Sequence, residues 1–186
     1  MSFKLNLFNR CSICDSNAFL ELARNLKNPV DRIIITHAHL DHHLGSEVFK
    51  NYAPIYALEE TIREITSTAQ FVLSSLKENL KGVIQTFLTF PSRTLREGSE
   101  LIDGVIFSFT KFVKTESPTN LLISLPTLKM MFSGDLVFNQ MHFYLADKNF
   151  DNWINIMKGF QKNYNFFFSF SILWTTNNKF SFSRKH

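Results

Sequence analysis

Four of the chain's six histidines, His37, His39, His42 and His43, stand together with Asp41 among them. Neutral imidazole is the commonest metal-ligating side chain near neutral pH. A carboxylate oxygen complements it for zinc, iron or manganese. On an extended strand end, residues two apart point the same way, so His37 and His39 can reach one ion. A turn then swings Asp41 and His42 toward a second position, and Gly45 permits a sharp exit into the next helix. A solvated histidine run is the bland alternative. It does not suit a cluster that directly follows Ile33-Ile34-Ile35 and precedes a glycine. Residue type, spacing and a strand-turn-helix setting all point to a metal site.

A second constellation lies downstream, at Phe132-Ser133-Gly134-Asp135-Leu136. Alone, Ser-Gly-Asp is a turn with an aspartate. At the end of an apolar strand, well beyond the histidines, Asp135 becomes a candidate to meet them. Cys11 and Cys14 form a C-x-x-C pair, but no second pair exists for a zinc ribbon. They read as two reduced thiols.

These residues need elements to position them. Asp15-Ser16-Asn17 starts a helix over 17–27, with Phe19, Leu22, Ala23 and Leu26 at helical spacing. Asp31–Thr36 is a strand whose three consecutive isoleucines require burial on both faces. A short helix is expected around Ser46–Asn51, a strand at Pro54–Ala57 and a long helix over Leu58–Leu80. Phe87–Phe90 reads as a strand. Leu101–Phe112 reads as strand with a hairpin turn at Asp103-Gly104. Leu121–Leu125 and Lys129–Phe132 are two further strands, and Asn149–Tyr164 is a helix. Strands and helices mixed along the whole length, with hairpins, predict a layered α/β architecture. Residues 1–165 read as one domain. The segment 166–186 is an atypical Phe/Ser-rich tail whose alternation suits an edge strand.

Composition narrows the function classes. At 186 residues, 45% apolar and 19% charged, the chain suits one globular domain. Its net charge of +4 is spread along the chain and forms no basic stripe, so no nucleic-acid partner is expected. No apolar run is long enough for a membrane span, and no signal peptide is read at the N-terminus. The expected setting is the cytosol and the expected partner a small-molecule substrate. Oligomeric state is not legible.

Thr36-His37-Ala38-His39-Leu40-Asp41-His42, with the later Ser133-Gly134-Asp135 and its preceding hairpin, resembles the signature of the metallo-β-lactamase-fold hydrolases. The resemblance covers about 31–163. It implies an αββα sandwich, here incomplete at the N- and C-terminal ends, that binds one or two ions, zinc by default with iron or manganese as alternatives. His37 and His39 would bind the first ion, Asp41 and His42 the second, and Asp135 would bridge them. The implied reaction is hydrolysis of an ester, thioester, lactone or similar bond by a metal-bound hydroxide. Asp41 would be catalytic, orienting that hydroxide and taking its proton.

The chain departs from the family pattern in two places. The family usually carries another metal histidine before the S-G-D aspartate, yet no histidine occurs from Leu44 to Asn139. Lys114, Glu116 or Asn120 must stand there, and Glu116 is the best chemical substitute. Its bland reading is a solvated loop acid. The family's late histidine is also missing. His142, in an N-x-x-H-x-Y-L stretch, could line the pocket or simply pack, and His186 is terminal. A degenerate metal-binding remnant, or an interaction protein on the same scaffold, is therefore the competing function.

Overall fold

Ile33, Ile34 and Ile35 are each at most 2% exposed. They form or follow β2 (Arg32–Ile34), and their alternation feeds two different cores. In this computed structural model, which describes residues 5–7, 16–26, 30–79, 88–138, 147–164 and 168–170, Ile33 and Ile35 pack with Leu20 and Ala23 of α1 (Ser16–Arg24) and Ile65 of α3 (Glu59–Asn79). Ile34 faces the other way, toward a second sheet. A strand covered on both faces has no polar side to offer, which is why three β-branched apolar residues can follow one another.

The first sheet is parallel throughout, in the order β1 (Leu5–Leu7), β2, β3 (Ile55–Leu58), β4 (Arg93–Leu95). Parallel neighbours need crossovers, and helical segments supply them. The β2 to β3 crossover holds α2 (Leu40–His43) and a 3-10 turn over Leu44–Phe49; α3 spans β3 to β4. Ile62, Ile65, Val72 and Leu73 make the inward face of α3, as the helical spacing predicts.

The second sheet runs β5 (Gly98–Ile102), β6 (Val105–Val113), β7 (Thr119–Leu125), β8 (Met130–Phe132), β9 (Phe168–Phe170). Its first four strands are antiparallel, and β9 adds a parallel edge. Asp103 and Gly104, at φ 49° and 79°, form the two-residue turn that sets Ile102 opposite Val105. All seven residues of β7 are buried. Leu121, Ile123 and Leu125 pack with Phe107 and Phe109 between the sheets. Leu122 turns outward with Met131 to meet Leu136 and Phe160 of α4 (Phe150–Tyr164). Three cores therefore separate four layers, helix-sheet-sheet-helix, as the αββα reading expects. Each fully buried Leu or Ile contributes about 1.5–3 kcal/mol of transfer free energy.

Differences from the sequence reading are local. The first helix ends at Arg24, and the helix expected near Ser46–Asn51 is a 3-10 turn beginning earlier, at Leu44. Gly45 sits inside that turn and is not among the positive-φ residues; the exit it was expected to ease is made by α2 instead. Residues 88–90 are not strand, and β4 lies further on, at Arg93–Leu95, where Leu95 supplies the buried contact. Cys11, Cys14, His142, His186 and the tail beyond 170 fall outside the described residues. Among the described residues no helix is long and apolar enough to cross a membrane.

Candidate metal centre

The histidine turn begins where β2 stops. Thr36 closes the strand, and its carbonyl accepts a hydrogen bond from Leu121 N at 2.9 Å, which stitches the turn onto β7 in the opposite sheet. Thr36 Oγ1 lies 3.1 Å from His37 Nδ1. With Nδ1 engaged by the hydroxyl, Nε2 of His37 is left to face the pocket. His39 precedes α2 as its cap residue, and the single turn of α2 then carries Asp41 and His42 around. His37 therefore lies close to His39 and His42, with ring centroids 4.9 Å and 3.9 Å away.

Two other chain segments complete the pocket. The loop between β6 and β7 brings Glu116, whose Oε1 is 2.7 Å from His39 Nδ1 and whose Oε2 is 3.5 Å from His37 Nε2. Glu116 is buried, so the solvated-acid reading fails. The loop is held by its own polar groups. Asn120 Nδ2 donates to Thr115 Oγ1 at 2.8 Å and Ser117 Oγ at 2.6 Å. Asn149 Nδ2 donates to the Thr115 carbonyl, and Asn152 Nδ2, on α4, to those of Val113 and Lys114. Lys114 itself is exposed, with φ 53°, and Asn120 is spent on loop support. Of the three residues weighed for this position, Glu116 is the one whose side chain meets the histidines.

Asp135 follows β8 on a tight turn in which Gly134 takes φ 54°, a conformation that favours glycine. Trp153 Nε1 donates to the Leu136 carbonyl at 3.1 Å and pins the turn to α4. Asp135 Oδ2 and Asp41 Oδ2 each lie 3.4 Å from His42 Nε2.

Ligand atoms of His37, His39 and Glu116 lie within 4.8 Å of one another, and so do those of His37, His42 and Asp135. His37 is common to both sets, and Asp135 belongs to the His42 side. Asp41 stands beside His42, 44% exposed. His43 is buried, belongs to neither set, and burial pushes its pKa down to about 4.

The polar atoms here test whether a divalent ion suits the residues present. His37 Nε2, Glu116 Oε2 and both ring nitrogens of His42 are buried without a hydrogen-bond partner. An unsatisfied buried polar atom costs about 1–3 kcal/mol. A shared cation removes that cost. Ligand atoms about 2.1 Å from one ion in tetrahedral array stand about 3.4 Å apart, close to the 3.5 Å between His37 Nε2 and Glu116 Oε2. The electrostatics agree. Burial, helped by neighbouring imidazoles, holds His37 well below the usual histidine range, in its neutral ligating form. Burial also lowers His42, but Asp135 and Asp41 outweigh it and raise the ring to about 9. For His39 burial is again outweighed, by Glu116 and then Asp147. The carboxylates thus draw positive charge into the pocket, and imidazole with carboxylate is the donor chemistry of zinc, iron and manganese.

Two acidic neighbours carried no signal in the sequence. Asp147 Oδ2 is 3.8 Å from His39 Nε2. Glu64, on α3, accepts from Thr119 Oγ1 at 2.6 Å, and burial raises its pKa. Neither sits in a motif; only the packing of α3 and of the segment before α4 brings them here.

Known proteins place this geometry. No curated protein sequence matches the chain. A metallo-beta-lactamase from Pontibacter korlensis is similar in fold, with TM-score 0.61 and 20% identity over 89% of this chain and 72% of that one. The metallo-beta-lactamase IND-7 gives TM-score 0.66 and 16% identity over 89% and 71%. The inverting sec-alkylsulfatase Pisa1 from Pseudomonas sp. gives 0.61 and 17%, over 87% of this chain but 32% of that one. At such identities these likenesses speak for the fold. The family's sequence profile goes further, matching residues 13–157, from before α1 to within α4 and through every ligand candidate described. The chain belongs to the metallo-beta-lactamase superfamily.

Proposed function

We propose that the protein is a metal-dependent hydrolase of small molecules, acting in the cytosol on an ester, thioester, lactone or similar bond. The observation that carries the reading is the pair of ligand sets sharing His37, in which His37 Nε2, Glu116 Oε2 and both His42 ring nitrogens are buried without a hydrogen-bond partner. His37, His39 and Glu116 would hold one ion; His42 and Asp135, with Asp41 beside them, would hold a second. Zinc is the default metal. Bound divalent ions supply charge that polarises a carbonyl, phosphoryl or sulfuryl oxygen and make water acidic enough to attack at neutral pH.

The chain's own residues do the rest. Asp41 is the most exposed carboxylate of the cluster and lies 3.4 Å from His42 Nε2, so it is placed to orient a water and accept its proton. Thr36 Oγ1 orients His37 from behind, and the Asp147 carboxylate stands 3.8 Å behind His39 Nε2. Glu116 in place of a third imidazole adds a negative charge, which reduces the net positive charge felt by substrate, and turnover is expected to be slow.

The test joins metal analysis with a hydrolysis screen over activated esters, thioesters, lactones, β-lactams, phosphodiesters and alkyl sulfates. Metal-dependent turnover abolished by both Asp41→Ala and His39→Ala supports the reading. Turnover indifferent to both substitutions overturns it. Stoichiometric metal with no turnover on any substrate favours the non-catalytic metal-binding protein.

A further inference from the structure

We infer that Glu116 tilts the first metal position toward harder divalent ions such as manganese, so that this chain separates zinc from manganese less sharply than the same pocket with histidine at 116. The inference rests on the proposed reading that His37, His39 and Glu116 hold a metal. Imidazole suits zinc and the later transition metals, whereas carboxylate oxygen suits manganese and magnesium. Exchanging one for the other leaves two histidines and a carboxylate, a donor set compatible with zinc but also with harder ions.

The structure makes this carboxylate a strong determinant. Its side chain is 1% exposed, so its charge is little screened by water. Its two oxygens are divided, Oε1 toward His39 and Oε2 toward His37, so either or both can face one ion. Ions that accept more than four ligands gain most from that freedom. The loop cannot easily swing Glu116 away, because Asn120 clamps the hydroxyls on both sides of it. Further negative charge stands close by, with Asp147 facing His39 and Glu64 bonded to Thr119 at the loop's end. A field of carboxylates favours hard cations without adding any soft donor.

The experiment uses the full chain stripped by chelation, titrated separately with zinc and manganese by calorimetry in metal-buffered solution. The tighter event is compared in wild type, Glu116→His and Glu116→Gln. The expected result is a zinc-to-manganese affinity ratio about tenfold higher or more in Glu116→His. Glu116→Gln, which keeps the shape and loses the charge, should also raise the ratio by weakening manganese more than zinc. If Glu116→His does not fold, judged by thermal unfolding without metal, Glu116→Gln carries the test alone. A ratio within about twofold of wild type in every folded variant overturns the inference. Failure of the underlying reading looks different: wild type binds neither ion, or His37→Ala binds both as wild type does.

Discussion

The two halves of the pocket are built unequally. On one side, His37 and Glu116 have side chains 0% and 1% exposed, and His39 is 24% exposed with Asp147 behind it. On the other, His42 is sealed, but Asp135 is 17% and Asp41 44% exposed. The closed half is backed by a hydrogen-bonded loop and stitched to β7 through Thr36. The open half hangs on one helical turn and one glycine-bent turn. In the closed half water competes poorly for the ligands, and attraction for a cation is strong in the low dielectric. In the open half water and substrate must both enter. On the proposed reading, affinity and access fall on different sides of His37, and zinc titration should show one tight and one much weaker event.

His37 is where the halves meet, so His37→Ala should have the largest effect. Both events are expected to weaken by about 100-fold or more, with hydrolysis lost alongside. Loss of only one event, read by calorimetry, would show that the ring serves a single ion. Asp135→Ala should be more selective. The weak event disappears, while the tight event changes by less than about tenfold, because no atom of Asp135 belongs to the His39 and Glu116 set. Equal weakening of both events would break the division into halves.

The candidate ligands also differ in how far the sequence exposes them. His37, His39, Asp41 and His42 lie within six residues, so a strand end and one turn suffice to gather them, and spacing alone announces the site. The isoleucine run likewise announces a strand covered on both faces, and from that the layered fold. Glu116 is different. An acid in a Thr-Glu-Ser-Pro-Thr-Asn loop looks solvated, and what buries it is a polar network visible only once β6, β7 and α4 are in place. Thr115, Ser117, Thr119 and Asn120 read as ordinary loop residues while serving as internal scaffolding. Asp147 and Glu64 depend wholly on long-range packing. Local order was legible, Asp135 was legible from its Ser-Gly-Asp turn at a strand end, and Glu116 was legible only by elimination against a family pattern.

That scaffolding gives the next prediction. Asn120→Ala removes two buried hydrogen bonds, leaving the Thr115 hydroxyl without its donor while Ser117 Oγ keeps only its bond to the Thr119 carbonyl. The expected cost is about 1–3 kcal/mol of stability, a fall of several degrees in Tm. The tight zinc event should weaken by up to about tenfold, since residues that orient a ligand affect affinity on that scale. The weak event should not move. If it weakens equally, the loop supports the whole pocket and the closed half has no privileged backing.

The smallest expected effect belongs to Asn152, at the start of α4. Its Nδ2 donates to the carbonyls of Val113 and Lys114, both at 2.9 Å, where the chain leaves β6 for the Glu116 loop. Asn152 is exposed, so water replaces much of what Asn152→Ala removes, and no donor is left stranded in the interior. The stability loss should stay near the low end for a hydrogen bond, about 0.5–1 kcal/mol. The informative quantity is the ratio of the two binding events. Lys114 holds φ 53°, an unusual conformation for a lysine, and the Asn152 contact is one of the restraints that keep it there, with Lys114 N donating to the Pro118 carbonyl. Releasing the restraint lets the loop sample other entries, and Glu116 is two residues further on. A twofold to threefold weakening confined to the tight event would show that α4, which also pins the Asp135 turn through Trp153, acts on each half by a separate contact. An equal shift in both events would instead mean that α4 moves as one body against the sheet, and that the two halves are coupled through the helix and not only through His37.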